Sequence, residues 1–458
     1  QATDVVVRPG TQAELERVMA LLAERDAAIV PVGGGTSVVG GIEPIGQRDD
    51  QPVVSIDLGA LARTVDVDPV SGVATFEAGI RGPRIEESLR PHGLTLGHVP
   101  QSFELATLGG WVATRSAGQA SLRYGKIESL VGAMRVVTPT GVIDIDHLPA
   151  HGAGPDLREA IMGSEGTLGI ISQATMRITQ RPTHIRFASY LHPDFESATH
   201  AARTLVQAGV RPTMVRVSDS VETAFSLGGV APGWLRNGMT RRVVRGVGMG
   251  TAAMTIVLCT GTQDEVRDIE RLVDRHMKQS GAWNLGPMPA RSWHRARFIQ
   301  PYARDLLMDR GLMVDTLETA VPWRVLPLVH QQVRHALSST LGADRSFVGC
   351  HLSHLYRDGA SAYFTFLARI PEGDRMRVWR AAKRAVHDVL STFRAAVSHQ
   401  HGVGTMHADL YRDATPHQMY DACAAMRAVI DPSNTMNPGK LMGFREQVRG
   451  SINSCVEA

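Results

Sequence analysis

The stretch AAIVPVGGGTSVVGGIEP, residues 27–44, puts five glycines within nine positions, Gly33 to Gly41, directly behind an apolar run. Glycine at that density costs chain entropy, so the backbone there must come close to something. A strand that delivers bare backbone N–H groups suits a phosphate. The P-loop pattern GxxxxGK[ST] fails, because no lysine follows these glycines. The Rossmann pattern fails too, because VVGGIEPIGQRDDQ carries Pro44 and no helical period where a helix should open. A ligand-free turn would need one glycine pair, whereas this loop has five glycines with Thr36 and Ser37. From this stretch alone, a dinucleotide pyrophosphate and a bare turn both stay open.

Two further stretches narrow the reading. QSFELATLGGWVATRSAG (101–118) places Gly109 and Gly110 ahead of a helix-like run of small residues. GSEGTLGIISQATMRIT (163–179) punctuates the entry to an alternating strand with glycines. Three glycine and hydroxyl clusters separated by short strands imply one long ligand lying across one domain.

Around this core the chain alternates helix and strand. TQAELERVMALLAERDA (11–27) reads as an amphipathic helix with Thr11 as cap and Glu14 completing a capping box. PVVSIDL and GVATFEAGI read as strands, and RGPRIEESLRPHG as a short helix ending at Gly93. Near residue 183 the rhythm changes. Residues 184–219 read strand, long helix, strand, and 251–282 begin the same order again. That rhythm predicts an antiparallel sheet with helices on one face. The expected organisation is α+β, with domains at 1–183 and 184–411 and a C-terminal segment, 412–458, returning to the first domain.

Composition bounds the function. The chain has 458 residues, 43% hydrophobic and 20% charged, with a formal net charge of +3. Two domains are the default at that length. No Lys/Arg run marks a nucleic-acid footprint, no window is long and apolar enough to span a membrane, and no secretory signal opens the sequence. Cys259, Cys350, Cys423 and Cys455 are widely spaced, which suits free thiols in a reducing cytoplasm.

PVGGGTSVVGG, LGGWVATRSAG and GSEGTLGII, in this order, resemble the FAD-binding domain of the vanillyl-alcohol oxidase (PCMH-type) flavoprotein family. RDLLMDRGLMVDTLETAVPW, DGASAYFTF and SHQHGVG are similar to its alkylglycerone-phosphate synthase branch. The resemblance implies a PCMH-type FAD-binding domain of two α+β subdomains and a cap domain that binds substrate. It implies that Pro31, Val32, Gly33, Gly34, Gly35, Thr36 and Ser37 wrap the FAD pyrophosphate. Gln101, Ser102, Thr107, Gly109 and Gly110 would line the remainder, with Thr114, Arg115, Ser116 and Ala117. So would Glu165, Gly166, Thr167, Leu168, Gly169, Ile170 and Ile171. Thr107, Thr114 and Ser116 carry hydroxyls suited to a polar ring edge. The pyrophosphate loop has no histidine of the kind that anchors covalent flavin, so FAD is expected to be non-covalent.

The same resemblance supplies the chemical candidates. Tyr363 matches the proposed acid/base, although a tyrosine in a strand more often packs in a core. Arg304 matches an arginine for an anionic headgroup, which a guanidinium fork suits; a solvated helix face is its plain alternative, and Arg310 competes. Thr316 stands where the family has serine. Arg216 matches an arginine near the flavin, or forms a strand-end ion pair. His399 and His401 would share one side of an extended chain and match a triple-histidine segment whose middle member is Gln400 here. Related hydroxyacid dehydrogenases hold a metal with histidines and a glutamate at that middle position, so no metal is expected. Gln101 replaces an aspartate, and Thr405 the lysine of HGVGK. Lys440 either contacts ligand or caps the tail.

The activity implied is exchange of the acyl chain of acyl-dihydroxyacetone phosphate for a fatty alcohol through a flavin N5 adduct. The alternative is hydride transfer from a 2-hydroxy acid or other alcohol to flavin. A small or lipid-like substrate, a homodimer, peripheral contact with a membrane and no nucleic-acid partner complete the expectations.

Overall fold

The structure is a computed structural model, and it describes residues 2–228 and 251–442. The chain divides into two compact units, one of residues 1–118, 125–181 and 400–458, the other of 119–124 and 182–399. The chain therefore returns to the first unit at residue 400, where the sequence reading puts residue 412. Cys455 and the end of the tail lie outside the described residues. Among these, Cys259, Cys350 and Cys423 are free thiols, and no helix is long and apolar enough to cross a membrane.

The first unit holds a small parallel sheet and a larger antiparallel one. Ala28–Val32 and Val5–Val7 both pair in parallel with Val53–Asp57. The helix Gln12–Glu24 packs Leu15, Met19 and Leu22 onto Ile29, Val54 and Ile56. Its cap is half of the expected box: Thr11 accepts from Glu14 N at 3.2 Å, while the Glu14 carboxylate takes the Gly10 N–H. Gly93 does close the helical run that begins at Gly82, at φ +68°. The larger sheet orders its strands Thr64–Asp68, Val73–Glu77, Ile170–Arg177, Val131–Thr138 and Gly141–Ile145, all antiparallel. Phe76, Trp111, Met134 and Met176 centre its core.

The second unit is built on a seven-stranded antiparallel sheet. From its third strand to one edge it runs Ala253–Gly261, Met214–Ser218, Ser346–Leu355, Gly359–Ala368 and, at the edge, Met313–Pro322. Alternation along each strand separates two faces. Val215, Val217, Cys350, Leu352, Phe364 and Phe366 face a core shared with the helices Phe195–Gln207, Gln263–Gln279, Leu326–Leu341 and Arg375–Thr392. The helices are not confined to that face. Leu227 and Ala290, from two other helices, pack with Met214, Met254, Ile256 and Leu258 on the opposite side. That second face turns polar across the last three strands of this order, and there it carries the candidate chemistry.

Candidate active site and cofactor cradle

In the first unit the glycine loop begins where the strand Ala28–Val32 ends. A Cβ on Gly33 would run into the Thr107 hydroxyl, and one on Gly34 into the Leu105 carbonyl. Gly35 differs, with φ +68° and open space where a Cβ would stand. The chain thus closes on 105–107 and then bares its backbone, as an anion-binding loop must. The Ser37 hydroxyl accepts from Gly41 N at 2.9 Å and secures the turn.

Segments remote in sequence brace this loop. Val39 O accepts from the N–H groups of Thr405 and Met406. The buried Glu165 carboxylate accepts from Val403 N at 2.6 Å and Gly404 N at 2.8 Å. Burial pushes Glu165 up to about 7, against the pull of those two donors. Asn437 donates to the carbonyls of Gly41 and Glu165. Lys440, fully buried, caps the carbonyls of Glu43 and Pro438, and burial brings it down to about 8. Its ammonium therefore serves the fold of the tail.

The cradle's chemistry fits FAD. Thr107 is 2% exposed and its Oγ1 has no hydrogen-bond partner. Trp111 Nε1 and His98 Nδ1 are likewise unpaired. Buried polar atoms seldom stay unpaired, so these invite ligand groups beside a loop that already bares its N–H donors. His98 Nε2 meets Ser116 Oγ at 3.2 Å, and burial, with Lys126 adding, brings His98 down to about 3, so its imidazole is neutral.

The expected lining residues divide by what their side chains do. Thr114 donates to Gly110 O, and Thr167 to Ser164 O. Arg115 pairs with Glu159 at 2.8 Å. Leu168 and Ile171 point into the core of the larger sheet, and Ile170 into that of the parallel one, leaving only backbone for a ligand. Gln101 is exposed and Ser102 half-buried. Gln400 accepts from Ala117 N at 3.2 Å, so this departure from the metal-binding pattern has a local partner.

In the second unit the register places Glu318 directly across from Tyr363, Tyr363 across from His351, and His351 across from Ser218. Opposed residues share a face, so these four form one polar row. Phe364, the next residue, is fully buried in the opposite core. Tyr363 stacks on His351 at 4.8 Å and is hydrogen-bonded to Thr316. Burial pushes the phenol up to about 12, with the Thr316 bond pulling the other way. Tyr363 is therefore a neutral O–H donor at ordinary pH.

Arg216 pairs with Glu222 at 3.2 Å and approaches His351 Nδ1 at 3.0 Å. Glu222 reaches the same His351 nitrogen at 2.8 Å. Burial alone would raise Glu222, but His351 and Arg216 hold it down at about 2. A second cluster joins the row at Glu318. Its Oε1 accepts from Ser353 Oγ at 3.3 Å and faces His399 Nδ1 at 3.1 Å. His399 Nε2 lies 2.6 Å from the Tyr356 hydroxyl and the ring stacks on His354 at 4.8 Å.

Arg304 stands apart from these bonds, on the exposed helix Ala303–Asp309, and Arg310 is exposed as well. Residues 399–401 are bent, where the sequence reading extends them. His399 belongs to the second unit and the half-buried His401 to the first. Sequence reasoning missed Glu318, Tyr356 and Glu222. The alternation in TLETAV carries a signal for the first, since Glu318 interrupts an apolar strand on the face of Thr316.

Comparison with known proteins agrees with this geometry. A family described as FAD binding domain matches residues 3–145, and FAD linked oxidases, C-terminal domain, matches 181–441. The alkyldihydroxyacetonephosphate synthase of Trypanosoma brucei brucei is 30% identical over 448 residues, covering 96% of this chain and 73% of that one. The enzyme of the same name from Dictyostelium discoideum is 32% identical over 455 residues, with the same coverage. A solved alkyldihydroxyacetonephosphate synthase superposes with a TM-score of 0.79 at 30% identity, covering 95% of this chain and 76% of that one.

Proposed function

The chain belongs to the PCMH-type FAD-linked oxidases, and from that membership we propose an exchange reaction: a fatty alcohol displaces the acyl chain of an acyl-dihydroxyacetone phosphate, without net oxidation. The observation that carries this reading is the likeness to two alkyldihydroxyacetonephosphate synthases over 96% of the chain. FAD is the cofactor of this enzyme, and when bound it supplies an electrophilic ring system able to hold substrate electrons. The loop Gly33–Ser37 would hold the pyrophosphate, and the Thr107 hydroxyl would meet a polar group of the same molecule.

The chain's own residues supply acid, base and charge. Tyr363 holds a proton that burial keeps on its oxygen, within reach of the Thr316 hydroxyl. Such a phenol protonates a leaving oxygen more readily than it deprotonates an incoming one. Arg304, exposed, offers a guanidinium to the substrate phosphate. Oxidation of a hydroxy acid is the second reading, favoured by one observation: Thr405, which stands in for the lysine of related sequences, bonds to Glu43 at 3.0 Å and brings no cation for a phosphate.

FAD-loaded protein, mixed without oxygen with acyl-dihydroxyacetone phosphate and a long-chain alcohol, should form the alkyl ether and release the fatty acid. A flavin bleached by 2-hydroxy acids, with no ether formed from the first mixture, would establish the second reading instead.

A further inference from the structure

Glu318, His399 and Tyr356 form a chain of hydrogen bonds whose direction is set by chemistry. The Glu318 side chain is fully buried and that of His399 4% exposed. A carboxylate can only accept, so the 3.1 Å contact to His399 requires the proton on Nδ1. Nε2 of the neutral ring is then an acceptor, and the Tyr356 hydroxyl at 2.6 Å must donate to it. The other titratable groups facing this line are His354, stacked on His399 at 4.8 Å, and Tyr363, across from Glu318 in the sheet. Ser353 adds a second donor to Glu318, and Ser121 engages His354 Nδ1 at 2.8 Å, so each group beside the line has its own anchor.

We propose that Glu318 is a positioning residue that locks His399 in the Nδ1–H tautomer, making Tyr356–His399–Glu318 a proton relay that serves the exchange reaction. In its forward step the Tyr356 O–H bond breaks and an N–H bond forms at His399 Nε2. The imidazolium so formed is balanced by the Glu318 carboxylate beside it, and the Tyr356 oxygen takes up the proton of the incoming alcohol. In the return step His399 Nε2 gives its proton back to the Tyr356 oxygen, and the proton displaced there passes to the oxygen of the released fatty acid. The relay is thereby restored, and no oxidant or reductant is consumed. The relay complements Tyr363, whose neutral phenol donates. This role rests on the exchange reading, but the tautomer itself does not.

The test uses the full-length, FAD-loaded protein labelled with 15N-histidine, the His399 signals being assigned by their loss in His399→Gln. In the unsubstituted protein they should show a proton on Nδ1. In Glu318→Gln the tautomers should mix, and kcat for ether formation should fall about 10²-fold with KM within twofold. Tyr356→Phe should lower kcat similarly while leaving the proton on Nδ1. A proton on Nε2 in the unsubstituted protein would overturn the relay. So would unchanged kcat in both variants, or a divalent metal bound stoichiometrically and needed for turnover, since Glu318, His354 and His399 place three ligand-type atoms within 4.8 Å of one another. If no ether forms at all, the exchange reading fails while the NMR result still decides the tautomer.

Discussion

Tyr363 is held between groups that face it from two neighbouring strands, Glu318 on one side and His351 on the other. Its phenol is pushed to about 12 first by burial, and Glu318 adds to that direction. Its proton is thus retained across the range in which the enzyme would be assayed. Tyr363→Phe should keep the FAD absorbance and the melting temperature but lower turnover by about 10²–10³-fold; unchanged turnover would remove it from the mechanism. Its place in the alternating ASAYFTF run was legible as a direction, away from Phe364. Its partners were not. The three groups nearest in chemistry, Thr316, Glu318 and His351, come from positions 47, 45 and 12 residues earlier, and only strand pairing brings them alongside. Glu222 makes the same point in part: Arg216 lies six residues before it, but His351, the larger of the two pulls that hold its carboxyl at about 2, lies 129 residues away.

At the scale of elements, the glycine loop and the strand before it were readable because their cause is local. Glycine density, an apolar entry and the missing helix signal all lie within 18 residues. What the loop packs against is not local, and this decides which glycines are indispensable. At Gly34 a Cβ meets the Leu105 carbonyl and the Ala106 backbone, neither of which can swing aside as a side-chain tip would. Gly34→Ala should therefore cost about 1–3 kcal/mol by overpacking and weaken FAD binding tenfold or more, read as flavin content after dialysis. Gly209→Ala is the control. It has φ +78° and nothing within 4 Å, so it should lose stability by about 1 kcal/mol through backbone strain and retain flavin. Equal flavin loss in both would mean that general destabilisation, and not the close approach to Leu105, empties the cradle.

At the scale of the molecule, the covalent state of the cofactor was argued from the pyrophosphate loop, which has no histidine. Acid precipitation should leave the flavin in the supernatant with the spectrum of free FAD; flavin that pellets with the protein would reject this. The sequence by itself determined the α+β class, a glycine loop suited to a long phosphate-bearing ligand and the polar character of one strand face, because glycine clusters, hydroxyls and period-two alternation are local properties with local causes. FAD itself was named by the family resemblance of those motifs. The tertiary structure decided the rest. It divided a seven-residue histidine segment between two units, with His399 against Glu318 and the next residue, Gln400, against Ala117. It committed Lys440 to backbone carbonyls, and it carried the Glu165 carboxylate to a loop 238 residues away. A buried charge or hydroxyl must find partners wherever the packed chain supplies them. Those partners follow from sheet register and loop crossing, which no window of sequence contains.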